Sequence, residues 1–183
     1  MACLEKWAVQ KEPRVECWRR CGVCRTAFSG EGAVDLGKVF LERALRCKPA
    51  FVPAARHALG SALLACGERE SAAVHLKAAL QAKRQNQGDT ANVAAVLNDL
   101  GIATGDENLF KDALRIYGAL NMLETNDAAC ARLNRGNALV RRGRYEHASK
   151  EYAQALRALE KVHRGDHADV AKALGRKLSS TRR

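Results

Sequence analysis

Leu59-Gly60-Ser61-Ala62-Leu63-Leu64-Ala65-Cys66-Gly67, continuing through Ala72, Leu76 and Ala79, is the stretch whose reading decides the fold. A second stretch, Gly136, Leu139, Gly143, Ala148, Tyr152 and Ala155, repeats it. Measured from the first glycine, both place their landmarks at offsets of 3, 7, 12, 16 and 19. Those offsets describe a helical hairpin. Gly60 and Gly136 let a neighbouring helix approach closely at the middle of the first helix. Gly67 and Gly143 stand where that helix ends and the chain turns, as glycine does at a helix C-terminus. Ala72 and Ala148 are small where the two helices cross. Leu76 or Tyr152, then Ala79 or Ala155, fall at helical spacing on the inner face of the second helix.

Working outward, a looser copy runs from Leu100-Gly101 to Ala113, Tyr117 and Leu120, at offsets of 12, 16 and 19. Its bend, Gly105-Asp106-Glu107-Asn108, is shifted. Trp18, Cys21 and Gly22 open another copy, with a longer turn through Ser29-Gly30-Glu31-Gly32. Its second helix carries Leu41 and Ala44 and closes at Pro49. Asp169-Val170-Ala171, Leu174-Gly175 and Leu178 read as a first helix without its partner. The expected architecture is all-α: a right-handed α-solenoid of about four helical hairpins plus a closing helix. Residues 1–14 carry no repeat pattern and are expected to form a frayed leader, with the repeat domain at 15–179 and a basic tail at 180–183.

The pattern resembles the tetratricopeptide repeat, whose unit of ~34 residues opens W-x2-L-G-x2-Y and closes on proline. Trp18, Cys21 and Gly22 match that opening with Cys in place of Leu, and Pro49 matches the close. The glycine-to-glycine intervals are 41, 35 and 39 residues, two of them longer than the standard unit. At the long junctions, Val96-Leu97-Asn98-Asp99-Leu100-Gly101 and Leu159-Glu160-Lys161-Val162-His163-Arg164-Gly165-Asp166-His167-Ala168-Asp169-Val170-Ala171 are similar to the extended repeats of kinesin light chains. Ala168 replaces their usual proline, and Arg176 departs from the second half of their closing motif.

Composition agrees with close-packed helices. Apolar residues make up 47% of the chain, dominated by Ala and Leu, while aromatics are 5% and only three prolines occur. No run approaches the ~20 apolar residues of a membrane span. Glu5 and Lys6 occupy the place where a signal peptide needs an apolar run. The chain is therefore expected in the cytoplasm, where its seven cysteines stay reduced. The net charge of +11 admits nucleic acid, an anionic membrane or an acidic protein segment as partner, and charge alone does not choose among them. Late in the chain the basic residues include Arg141, Arg142, Arg144, Arg157, Arg164, Lys172, Arg176 and Lys177.

Three cysteines form the most chemical-looking constellation. Cys21-x-x-Cys24 has zinc-knuckle or redox spacing and Cys17 adds a sulfur on the same helical face. A structural zinc site needs four ligands, and no second pair follows at suitable spacing. In the repeat frame Cys21 replaces a buried leucine, so packing is the expected role and the three are weak metal candidates. Cys47, Cys66 and Cys130 are likewise expected in the packing. None of the five histidines pairs with Ser, Cys or Asp in a nucleophile arrangement, and His163 and His167 are separated by a Gly165-Asp166 loop. No P-loop, dinucleotide fingerprint or nucleophile elbow occurs. No enzymatic activity and no cofactor are expected.

The resemblance implies a binding groove lined by the first helices. Positions three before and one after each glycine are expected to face it: Arg19 and Val23, His57 and Ser61, Asn98 and Ile102, Leu133 and Asn137, Lys172 and Arg176, with Arg141 one turn beyond Asn137. Asparagine amides both donate to and accept from an extended backbone, and Arg or Lys neutralises carboxylates. The expected function is a scaffold or adaptor holding an acidic or aromatic-acidic peptide. A nucleic-acid-associated scaffold using the basic C-terminal third is the first alternative, although stacking aromatics are missing from the inward positions. A small zinc or redox protein built on the N-terminal cysteines is the second. Self-association through an exposed stripe of Val170, Ala171, Leu174 and Leu178 is also expected if that helix stays unpartnered.

Overall fold

The computed structural model describes residues 30–163, which divide between two compact units, Met1–Asn86 and Gln87–Arg183. All seven regular elements longer than one turn are α-helices, and no strand occurs among the described residues.

In the first unit, α1 (Gly30–Cys47) buries Val34, Leu36, Gly37, Phe40 and Ala44 along one stripe. It stops short of Pro49, which opens a 3-10 turn at Pro49–Phe51; proline lacks the N–H an ongoing helix would need. Then follow α2 (Val52–Ala65) and α3 (Arg69–Gln87). Leu36, Phe40 and Ala44 of α1 form a core cluster with Ala55 of α2. The bend between α2 and α3 is a left-handed C-cap. Gly67 has φ of +84°, its N–H donates to the Leu64 carbonyl at 3.0 Å, and the Glu68 N–H donates to Leu63 at 2.9 Å. Leu76 lies on Gly60 so closely that a Cβ there would sit 2.6 Å from its Cγ. Ala72, Leu76 and Ala79, at offsets 12, 16 and 19, are fully buried, as the hairpin reading requires.

The second unit holds two hairpins: α4 (Ala91–Thr104) with α5 (Glu107–Ala119), and α6 (Asn126–Arg141) with α7 (Tyr145–His163). Thr90 and Thr125 cap α4 and α6 by accepting from Val93 and Ala128, and Asp106 caps α5 by accepting from Asn108 at 3.0 Å. The last hairpin keeps the frame. Gly143 adopts φ +71°, Tyr152 covers Gly136, and Ala148, Tyr152 and Ala155 are buried with Ala129, Leu133 and Leu139.

The looser copy departs from it. Its left-handed residue is Gly105, φ +74°, four residues after Gly101 instead of seven, so α5 starts three residues early. Phe110, not the residue at offset 16, therefore lies against Gly101, with Cζ 2.7 Å from where a Cβ would be. Tyr117 is still buried, and burial raises its phenol pKa. Leu120, expected on the inner face, is instead 41% exposed. The reason is helix length: α5 spans 13 residues against 19 in α3 and α7, and ends in a Schellman cap with Asn121 at φ +56°. Met122 N–H donates to Tyr117 O at 2.8 Å and Asn121 N–H to Gly118 O at 3.1 Å, turning Leu120 out.

Among the described residues the cysteines also depart from expectation: Cys47 and Cys130 are exposed and Cys66 is partly covered. Cys47 is the last residue of α1, and Cys130 lies at helical spacing from Asn134 and Asn137 on α6.

Candidate functional site

Within the second unit the first helices of the two hairpins, α4 and α6, meet through asparagines. Asn134 Nδ2 donates to Asn98 Oδ1 at 3.0 Å, and Asn98 Nδ2 donates to Asp99 Oδ1 at 3.4 Å. On α6, Cys130, Asn134, Asn137 and Arg141 recur at helical spacing and form one stripe. Asn134 and Asn137 are half-buried and Arg141 is exposed.

A second contact orients Asn137. Tyr152 reaches past Gly136, and its hydroxyl donates to Asn137 Oδ1 at 2.9 Å. With that oxygen occupied, the Asn137 amide turns its two N–H donors away from α7. An amide carries two N–H donors and an oxygen that can accept twice. The internal bonds therefore take one acceptor site each on Asn98 and Asn137, and leave one donor each on Asn98 and Asn134, both donors on Asn137 and the oxygen of Asn134. Arg141 adds a guanidinium with no partner among the described residues. The stripe presents amide donors and acceptors together and is positively charged at one end.

The opposite side of α6 is held by ion pairs. Glu107, at the start of α5, is 2% exposed and receives four cations. Arg144 lies at 3.0 Å, Lys111 at 3.1 Å, Arg142 at 3.3 Å and Arg135 at 3.5 Å. Arg135 also bonds Glu151 on α7 at 2.6 Å, and Arg142 donates to the Gly105 carbonyl at 3.4 Å. Burial pushes the Glu107 carboxyl up, but Lys111, Arg144 and Arg135 together outweigh it and hold the group below the ordinary carboxylate range. Burial wins at Glu151, whose pKa is raised despite Arg135 and Arg132. Outside the hairpins' own contacts, Arg115 reaches Asp89 at 2.8 Å and Lys161 reaches Glu124.

Asn98, Asn137 and Arg141, picked out from the repeat frame, thus share one unit, and Asn98 is linked to the Asn137 stripe through Asn134. The frame missed Asn134. It placed Leu133 on the inward face, whereas Leu133 is 7% exposed and belongs to the α6–α7 core. The spacing of Asn134 and Asn137, three residues apart on one helix, was the available signal. Tyr152 was read only as packing, because its hydroxyl partner lies on a different helix. His57 requires a correction: it is 8% exposed and offers no groove surface. α2 buries residues 55, 57, 59, 60 and 63, which at ~100° per residue cover a little over half of its circumference, and His57 lies at the edge of that covered side. Arg19, Lys172 and Arg176 lie outside the described residues, as do Cys17, Cys21, Cys24 and the Val170–Leu178 stripe. Among the described residues no group of three His, Cys, Asp or Glu side chains is placed to hold a metal ion.

The charge balance also moves. Residues 87–163 carry ten Lys or Arg and ten Asp or Glu, so the arginines of α6 and α7 belong to a neutral stretch. Residues 30–86 carry nine against five, and the rest of the +11 lies in 1–29 and 164–183. No helix among the described residues is long and apolar enough to cross a membrane.

The crystal structure of BtubC (BKLC) from P. vanneervenii superimposes on this chain with a TM-score of 0.71 at 20% identity, covering 81% of this chain and 64% of that one. The fold is a tetratricopeptide-type helical repeat. The chain spans about two thirds of the length of that structure. No family model matches the sequence, and no curated protein matches it.

Proposed function

We propose that this protein is a non-catalytic, cytoplasmic scaffold that holds an extended, acidic peptide segment of a partner protein along the α4–α6 stripe. The observation that carries this reading is the row of half-buried asparagine amides that ends at the unpaired Arg141 cation. The amides offer both donors and acceptors, which an extended peptide backbone satisfies with its carbonyls and N–H groups, and the guanidinium takes a carboxylate. A phosphate backbone would also accept from these donors, but the stripe has no aromatic ring on which a base could stack. Its surroundings are electrically neutral over residues 87–163, giving no extended basic track.

The test uses the full chain and fluorescein-labelled 12-residue peptides that differ only in carrying Asp/Glu, Asn/Gln or Lys, with a single-stranded oligonucleotide as a fourth probe. The acidic peptide should bind best. An Asn98→Ala/Asn137→Ala/Arg141→Glu variant with an unchanged melting temperature should bind it at least tenfold more weakly. Equal binding of the three peptides, or retention by the variant, would sink the reading. Preference for the oligonucleotide would replace it with the nucleic-acid alternative.

A further inference from the structure

The first unit carries a second surface that the peptide stripe does not use. Between α1 and α3, over α2, lies an open groove of about 520 Å³. Leu41, Leu45, Leu59 and Leu63 supply its apolar lining, and Leu45 is 56% exposed. Leu59 and Leu63 are its floor, 3% and 4% exposed, and the apolar surface open to solvent comes from Leu45 and the half-buried Leu41. Single exposed leucines are common, and a pair standing over an apolar floor is what marks this groove.

The repeat frame shows what the same positions do elsewhere. Leu59, Glu68 and His75 stand one before, eight after and fifteen after Gly60. The residues at those offsets from Gly136 are Arg135, Arg144 and Glu151. In the second unit those three, with Glu107 of the preceding second helix, close the surface by ion pairs. In the first unit the corresponding leucine, glutamate and histidine make no such closure, and the groove stays open. One copy of the repeat is sealed by its own charges and the other is left apolar.

The rim says what would fill it. Lys38 is engaged by Asp35 at 3.4 Å, and Glu42 by Arg46 at 2.8 Å. The Glu68 carboxylate has no side-chain partner among the described residues. The unanswered charge on the rim is therefore negative, within a protein of net charge +11. The walls are helices whose backbone bonds are internally satisfied, so no strand can be added to them. The α1 side of the groove runs from Lys38 to Leu45, two helical turns or roughly 10 Å. We infer that this groove docks a two-turn amphipathic helix of a partner protein, which places apolar side chains at i, i+3 and i+7 on the leucines and a Lys or Arg on Glu68.

The probe is a fluorescein-labelled, stapled 14-residue helix with leucines at i, i+3 and i+7, glutamine and alanine elsewhere, and a lysine in its first or last turn. A matched pair carries glutamate in place of lysine. Wild-type full chain should bind one lysine helix saturably. Leu45→Asp, at a site 56% exposed where a charge stays in water, should melt like wild type and weaken binding at least tenfold. Glu68→Lys should reverse the preference, binding the glutamate helix better than the lysine helix. Asn137→Ala should leave all of this unchanged, which separates the groove from the peptide stripe. Absence of saturable binding, or equal affinities across the variants, overturns the proposal. So does a sedimentation result in which wild type is a dimer that Leu45→Asp dissolves, because the occupant would then be a second copy of this chain.

Discussion

Replacing Glu107 by glutamine should destabilise the second unit by about 2 to 3 kcal/mol at pH 7. The figure follows from exposure. Lys111, Arg142 and Arg144 are 46%, 50% and 43% exposed at their side chains, and pairs of that kind contribute about 0.3 kcal/mol each. Arg135 is only 21% exposed and Glu107 3%, so this pair is desolvated on both sides and contributes about 1 to 2 kcal/mol more. The larger loss of ~3–5 kcal/mol that follows when a fully buried pair is broken is not expected, because three of the four cations can rehydrate. Urea unfolding followed by circular dichroism measures the difference as a shift in midpoint at constant slope. The pH dependence gives a second check. A carboxylate whose pKa is depressed in the folded state contributes stability that is present above its unfolded value and disappears as pH falls through the folded value. The gap between wild type and Glu107→Gln should therefore be full at pH 7 and shrink towards pH 3. High salt should remove the part owed to the exposed cations and leave the part owed to Arg135. A difference under about 0.5 kcal/mol at pH 7, or one undiminished at low pH, would show that the network contributes geometry and no net energy.

Gly136→Ala forces a methyl into the Tyr152 ring, and should cost about 1 to 2 kcal/mol in thermal unfolding even after the ~1 kcal/mol that alanine gains over glycine in a helix. Tyr152→Phe removes the hydroxyl that orients Asn137; stability should fall by about 1 kcal/mol, and binding of the acidic peptide should weaken while the stapled-helix probe is unaffected. Leu76→Ala and Leu120→Ala, at neighbouring landmarks of the repeat, should separate sharply. The first should cost about 3 kcal/mol from a fully buried site and the second less than about 0.5 kcal/mol from an exposed one, read as urea midpoints.

How much of this the sequence disclosed differs between levels. The hairpins were legible because glycine and alanine have sharp steric meanings. Gly67 and Gly143 take the left-handed conformation, and Gly60 and Gly136 are covered by Leu76 and Tyr152, as their spacing implied. Where the bend came early, at Gly105, the offsets counted from Gly101 no longer described the contacts, and Leu120 was misplaced for that reason. The candidate site was only partly legible. Asn98 and Asn137 were found from the frame, but their use depends on Asn134 and Tyr152, which lie 36 and 15 residues away along the chain. His57 failed for a different cause: a helix flanked on two sides can bury the face that the repeat frame assigns to the groove.

Arg141 and Arg142 show why the charge pattern was the least legible feature. As neighbours they read as one basic run, and with Arg144 they suggested an anionic partner for the whole segment. On a helix, consecutive residues point about 100° apart. Arg142 turns to Glu107 and the Gly105 carbonyl, while Arg141 remains free on the asparagine stripe. Arg144 follows Arg142, so two of the three arginines are engaged by one buried glutamate that stands 35 and 37 residues earlier. The free charge available to a ligand at this end of α6 is therefore one guanidinium beside a set of amide donors and acceptors. A surface of that kind selects by hydrogen-bond direction, with charge as an addition. Specificity on this stripe should accordingly survive moderate salt better than the binding of a polyanion to a continuous basic track.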